Sequence, residues 1–437
     1  MKEPRVAVGG KAVENADAIK LFKNYKSFFF TLRRMKKKYI VFGFFAASSF
    51  FGFGQNPENL YPKKKISKSY IQLVYSNYTQ DGNHSAVTGG IGTEKLQVFG
   101  PEIIIKRQVD SLNSFNIDIG LDVVTSASTD NIDLNMSSAS RKDGHGYLTI
   151  GIERKLKKNR NFSYGIAGYT SLESDYLSFG TIFSINKTSK DQSKELSAEF
   201  ELYSDDLRWG RLSGVKPLHL IYPAELRFQN WFETYLRTTY NLNLGYVQTI
   251  NEKMLLGIFP GITSQTGLLA TPFQRVYFKT GELKVERLPE KRIAIPLGIQ
   301  FNNFLGNKFI LRNYYRFYHD DFKILAHTLN SEFAIKLTPG ITLTPGIRLY
   351  TQQGSPFFKP YKEHDIQQEF YTSDYDLSTF RSTETSLEGR FAIRGEGSDP
   401  AWFNLRYSHY KRSDGLKANT ITLLIDFTSQ KNRKAYQ

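Results

Sequence analysis

From Ser67 to the end of the chain, apolar and polar residues alternate with a period of two. Phe115, Ile117, Ile119, Leu121 and Val123 alternate with Asn116, Asp118, Gly120 and Asp122. Leu387, Phe391 and Ile393 alternate with Glu384, Glu388, Arg390 and Arg394, and Phe403, Leu405 and Tyr407 with Asn404, Arg406 and Ser408. The last segment places Ile421, Leu423, Ile425 and Phe427 around Thr422, Leu424 and Asp426. Successive strand side chains point to opposite faces, so each segment has one greasy face and one that carries ions.

The pattern predicts sixteen strands, at 67–78, 97–108, 113–125, 146–155, 161–171, 174–187, 194–204, 235–250, 253–265, 291–304, 308–318, 323–337, 341–351, 382–394, 401–412 and 418–428. Every connection after an even-numbered strand is short. The long ones, 79–96, 126–145, 205–234, 266–290 and 352–381, all follow odd-numbered strands. A soluble sandwich has no reason to sort its loops this way. A membrane barrel does, because its periplasmic turns are short and its outer loops long. The expected fold is therefore all-β: a closed antiparallel transmembrane β-barrel of about sixteen strands over 67–428. Tyr70, Tyr75, Tyr78, Tyr314, Tyr315, Phe317, Tyr318, Tyr407 and Tyr410 near strand ends are expected to form interface girdles.

Ahead of the strands, Met35-Lys36-Lys37-Lys38 introduces the mostly apolar run Tyr39 to Phe51, followed by Gly52-Phe53-Gly54. A basic start, a short apolar stretch and small residues at −3 and −1 make a secretory signal over 35–54, cleaved after Gly54. Thirteen residues are too few to span a bilayer comfortably. Residues 1–34 precede a complete signal with its own Met, and are expected to lie outside the real protein. Residues 55–66 are expected to form a periplasmic linker, and 429–437 a basic periplasmic tail.

The formal charge of +16 suggests nucleic-acid binding until it is apportioned. Residues 1–54 carry eleven Lys/Arg against three Asp/Glu. Lys63, Lys64, Lys65, Lys431, Arg433 and Lys434 supply six more positive charges at the termini, which leaves the strand region nearly neutral. No nucleic-acid partner is expected. A mean hydropathy of −0.41 excludes a bundle of membrane helices. With no Cys there is no disulfide framework, thiolate metal site, Cys nucleophile or lipid-bearing cysteine.

Several stretches resemble a bacterial outer-membrane barrel family, the domain-of-unknown-function family thirty-five seventy. They are Asp122 to Thr129, Asp175 to Ser178, Gly267 to Phe278, Arg287 to Arg292, Tyr315 to Phe322 and His327 to Leu329. The resemblance runs from about Ser67 to the end. It implies an outer-membrane barrel whose genes neighbour those for thioredoxin-like proteins, small lipoproteins and flavin transferases, hence a link to an envelope redox or export system. It implies no catalytic residue.

Inward parity selects the candidate pore-lining residues. These are Asp118, Asp122, Glu153, Glu195, Glu199 and Glu201, then Arg237, Arg312, Arg316 and Arg348, with Glu332, Lys336, Glu384, Glu388, Arg390 and Arg394 among the latter. Such charges either pair and fill the interior or set a transverse field across a water-filled pore. His319-Asp320-Asp321 is expected to occupy a turn, and His327 the apolar parity of its strand. Asp130, Asp133, Asp143 and His145 match no calcium-loop spacing. No Gly-x-Ser-x-Gly elbow appears. No enzyme activity, metal or cofactor is expected. Expected partners are outer-membrane lipid and the barrel-insertion machinery, which reads a terminal aromatic such as Phe427. The expected function is a channel for small hydrophilic or charged solutes. The alternative is a plugged barrel that anchors or docks a periplasmic or surface partner, linked to a redox or flavin system. The loops at 205–234, bearing Trp209, Trp231 and Phe232, and at 352–381 are long enough to fold inward. N-terminal sequencing of the secreted protein is expected to start at Gln55; any peptide from further upstream contradicts the cleavage site.

Overall fold

The computed structural model describes residues 66–126, 142–173, 177–207, 236–271, 274–393 and 401–432. The expected signal, the aromatic segment with Trp209, Trp231 and Phe232, Asp130, Asp133 and Arg394 lie outside them. The strands are β1 (Ile66–Asp81), β2 (Leu96–Gln108), β3 (Asn113–Ser126), β4 (Lys142–Lys155), β5 (Phe162–Leu172), β6 (Leu177–Thr188), β7 (Lys194–Asp206), β8 (Leu236–Asn251) and β9 (Met254–Gly267). The short β10 (Arg275–Tyr277) and β11 (Leu283–Val285) form a separate hairpin. Then follow β12 (Lys291–Leu305), β13 (Phe309–Asp320), β14 (Leu325–Thr338), β15 (Ile341–Gln353), β16 (Phe380–Ile393), β17 (Ala401–Arg412) and β18 (Lys417–Asn432).

Among the described residues, sixteen of these strands close into an antiparallel barrel, each paired with its sequence neighbour and β18 returning to β1. The hairpin β10–β11 is left inside the connection from β9 to β12. Closure removes every free strand edge, which a sheet in hydrocarbon cannot tolerate. Strands of 11 to 16 residues exceed the ~9–11 needed to cross the apolar layer at a tilt, so several project beyond it.

The apolar parity faces outward. Leu73, Ile103, Ile119, Ile150, Ile166, Phe183, Phe200, Leu242, Ile262, Ile295, Leu329, Ile347, Leu387, Leu405 and Ile421 are all exposed. Paired residues share a face, and Leu73–Ile103–Ile119–Leu148 reads across four strands as one greasy row. In water such a surface would aggregate; in lipid it is the matched one.

Parity also corrects the aromatic girdle. Tyr75, Tyr315, Phe317 and Tyr407 share the parity of the exposed apolar residues. Tyr70, Tyr78, Tyr314, Tyr318 and Tyr410 stand on the inner parity, where polar groups take up several of their hydroxyls. Tyr70 donates to Asp426 Oδ1 (2.8 Å), Tyr78 to Gln80 Oε1 (2.6 Å) and Tyr318 to Asp320 Oδ2 (2.8 Å). A second correction concerns the tail. Its first residues, 429–432, extend β18 because the opening residues of β1, Ile66 to Ser69, present backbone groups that need partners.

The β1–β18 seam is locked from inside. Asp426 accepts from Tyr70 and from Gln72 Nε2, both at 2.8 Å, and from Asn404 Nδ2 at 3.4 Å. Replacing Asp426 by Ala strands these donors in a buried position. The expected cost is about 2 kcal/mol, read as a lower urea midpoint and easier loss of the folded band on an unheated gel.

Candidate functional site

The inner parity carries the ions, because any polar group aimed at lipid would go unsatisfied. On the early strands the groups are acidic. Asp118 and Glu102 crowd together, and Tyr147 bonds Glu102. Asp122 lies 3.3 Å from His145 Nδ1. Glu153 accepts from Ser163 (2.6 Å). Glu199 and Glu201 crowd together, and Glu201 accepts from Asn241 Nδ2 (2.8 Å). Glu195 is exposed at the short-turn end, as is Lys336 on the far side. Arg237 pairs with Asp205 at 2.7 Å.

On the late strands the groups are basic and mostly paired. Glu332 binds Arg406 (3.0 Å) and Arg312 (3.6 Å), and Arg406 also reaches Glu388 (3.8 Å). Arg348 stands 3.9 Å from Glu384, and Arg390 stacks 4.4 Å over Trp402. Arg316 lies over the Tyr318 ring at 5.9 Å and pairs with no carboxylate among the described residues. The strand order sets the two halves against each other: half-way round the ring of sixteen from β3, with Asp118 and Asp122, is β13, with Arg312 and Arg316.

Glu102 and Arg406 were within reach of the alternation, since both stand on the inner parity between exposed apolar neighbours, but only pairing across strands gives them weight. Asp320 is different. The triplet His319-Asp320-Asp321 was expected to fill a turn, and turn chemistry is present: Asp320 Oδ1 accepts from Ile324 N (3.0 Å) and Asp321 Oδ2 from Ile293 N (2.9 Å). Yet His319 and Asp320 belong to β13, and Asp320 is 1% exposed. Its second oxygen takes Arg292 Nε at 2.9 Å, and burial of the carboxylate requires that cation. His327 stands on the outer parity, where its Nδ1 meets the Tyr315 hydroxyl at 2.7 Å.

Over the long-loop end, the described residues of three connections, 82–95, 268–271 with 274–290, and 354–379, pack into a cap with its own core. Val276, Phe278 and Tyr371 are buried together, with the Phe278 and Tyr371 rings edge to face at 4.9 Å. Phe322 packs among Leu268, Ala270 and Leu288, and meets Phe357 at 5.4 Å. Backbone bonds between Arg287 and Tyr371 (3.0 and 2.8 Å) tie the second connection to the third. His84 of the first stacks on Tyr375 of the third at 3.9 Å. Gly89 has φ +84, and a Cβ there would sit 2.5 Å from the Tyr277 ring, so glycine lets these loops close.

The third connection turns inward, as its length allowed. Gln352 Nε2, on the inner wall, donates to Asp376 O (2.8 Å) and Ser378 O (2.7 Å), and Arg412 pairs with Asp376 and with Asp414. Asp376 and Leu377 thereby roof a cavity of about 470 Å³ walled by Arg316, Arg348, Tyr350 and Tyr410. A second cavity of about 550 Å³ is walled by Glu199, Asn243, Phe259, Gly298 and Tyr314, and Arg316 lines both. Arg316 has Gly298 and Thr328 as its cross-strand partners, which leaves room for its side chain.

One carboxyl in the cap has no counter-charge. Glu286, 2% exposed, accepts from Thr271 N (2.6 Å) and from the Thr372 hydroxyl, and burial pushes it up to about 8 from an ordinary 4.5. The folded cap thus holds a proton that the opened loop releases. Its contribution to cap stability is full below about pH 4.5 and is lost as pH rises through about 8. Hydrogen exchange in 268–290 and 354–379, corrected for intrinsic rate, is expected to be faster near about pH 9 than near about pH 5. Glu286→Gln is expected to flatten that dependence.

The chain is similar in fold to Pseudomonas aeruginosa OprD, at 11% identity over 84% of this chain and 97% of that one, with a TM-score of 0.38. It is likewise similar to Pseudomonas aeruginosa OpdQ (8%, 83% and 99%, TM-score 0.40) and OccK1 (7%, 84% and 99%, TM-score 0.39). Similarity this distant carries nothing further about the chain. No curated protein matches it. The family model described as "Protein of unknown function (DUF3570)" matches residues 139–414, more than half of the 437 residues, and the chain belongs to that family.

Proposed function

We propose that the protein is an outer-membrane channel for small hydrophilic or charged solutes, exported by the signal ending at Gly54, with its short turns in the periplasm. The observation that carries this reading is the ion-lined inner wall, along which Arg316 borders both cavities. Barrels of about sixteen strands are wide enough to keep a water-filled passage. A docking plug would be expected to fill that space with apolar side chains, whereas Arg312 and Arg348 stay about half exposed. The cap narrows the mouth through Asp376 and Leu377, leaving the channel selective by charge as well as by width. The reading assigns no catalysis to the molecule.

The test is planar-bilayer recording from the full chain, folded in detergent and checked for antiparallel β signal. Stepwise openings whose current is linear in voltage near zero are expected. Absence of openings from protein that retains its β signal overturns the reading.

A further inference from the structure

We infer that the chamber beneath the cap is a binding site for a small oxyanion, held by Arg316 with Thr328 and Tyr410. The inference rests on the channel reading only in naming the site's use; binding itself can be measured apart from conduction.

Most acceptor oxygens around the chamber are engaged, the exposed second oxygen of Asp376 and the hydroxyls excepted. Asp376 is paired with Arg412, and Gln352 Oε1 takes the Tyr350 hydroxyl. Both Asp320 oxygens are used, by Ile324 N on one side and by Arg292 and Tyr318 on the other. Gln352 Nε2 is also spent, on two cap carbonyls. What remains is mainly donors. Arg316 has a planar fork of N–H groups and no carboxylate among the described residues. Thr328 is its cross-strand partner and faces the same space, as does Tyr410, and neither hydroxyl bonds a described residue. Arg348 adds a second guanidinium only loosely attached to Glu384, at 3.9 Å.

Donors without acceptors, under uncompensated positive charge, match a ligand made of acceptors with negative charge. A guanidinium fork suits the two oxygens of a carboxylate or phosphate. The volume of about 470 Å³ suits a molecule of a few heavy atoms to a small metabolite, within the ~300–1,000 Å³ range of small-ligand sites. Entry past Asp376 is only partly screened, because Arg412 is shared between that carboxylate and Asp414. On the far side Arg316 also borders the cavity containing Glu199, which repels an anion and favours its release rather than its capture.

The experiment uses succinate, inorganic phosphate and the neutral diamide succinamide as probes of the full-length barrel, in bilayers and by equilibrium dialysis of labelled probe in detergent. Succinate is expected to interrupt the current and to be retained in dialysis, and succinamide to do neither. Succinate stronger than phosphate identifies a carboxylate site, and the reverse a phosphate site. Arg316→Gln is expected to raise the half-blocking and half-binding concentrations about tenfold. Arg316→Lys, which keeps charge but loses the fork, is expected to recover only part. Tyr410→Phe, which removes one hydroxyl, serves as a milder second variant and is expected to weaken binding in the same direction. Equal effects of succinate and succinamide, or unchanged binding in both Arg316→Gln and Tyr410→Phe, overturn the inference. A barrel that shows no openings yet retains succinate through Arg316 overturns the channel reading and upholds the site.

Discussion

A peptide group inside hydrocarbon has no water to bond, and each unmade bond costs several kcal/mol. For a chain that crosses lipid as strands, every strand must therefore have a neighbour on both sides, and the sheet must meet itself. The pairing of β1 with β18 over Ile66–Asp81 and Lys417–Asn432 satisfies this condition. Once the ring is closed, the two parities of every strand face two different solvents. Leu73, Ile119 and Leu387 meet lipid, while Asp118, Arg316 and Glu388 meet the interior. The functional surface is thus a by-product of closure, since the side that cannot face lipid is the only place for charge.

That separation explains why the strands were legible in the sequence. Lipid on one side and ions on the other impose a strict alternation, and a one-residue slip would place a carboxylate in hydrocarbon. Most predicted strand ends lie within a few residues of the observed ones. The start of β4 at Lys142 rather than 146 was hidden because Lys142, Asp143, Gly144 and His145 show no apolar beat. The start of β16 at Phe380 rather than 382 was hidden because Phe380 stands on the inner parity, opposite Gln352 and under Arg412, out of step with the outward apolar residues.

The site was legible only as a list of inward residues. Parity placed Arg312, Glu332 and Glu388 on one face, but not the chain of contacts that Arg406 makes between them, which depends on register. Of the cap, only the inward reach of 352–381 was legible, from its length. Phe278 is far in sequence from His364 and Tyr371, and β10–β11 is too short to leave a periodic trace. Likewise Tyr70 and Tyr318 looked like interfacial aromatics. An aromatic at a strand end suits lipid headgroups or a lumen carboxylate equally well, and only Asp426 and Asp320 decide between them. Asp320 looked like a turn residue because its partner, Arg292, is supplied by a different strand.

The seam has a further consequence for how the molecule comes into being. The bond from Tyr70 to Asp426 joins residues 356 positions apart, across the strand pair that closes the ring. Until the last strand arrives, β1 and β17 both present an open edge. No early fragment of the chain can be a finished piece of the wall. Closure of the wall must therefore wait until β18 has been made. The strand made last is the one that turns an adhesive ribbon into an inert cylinder.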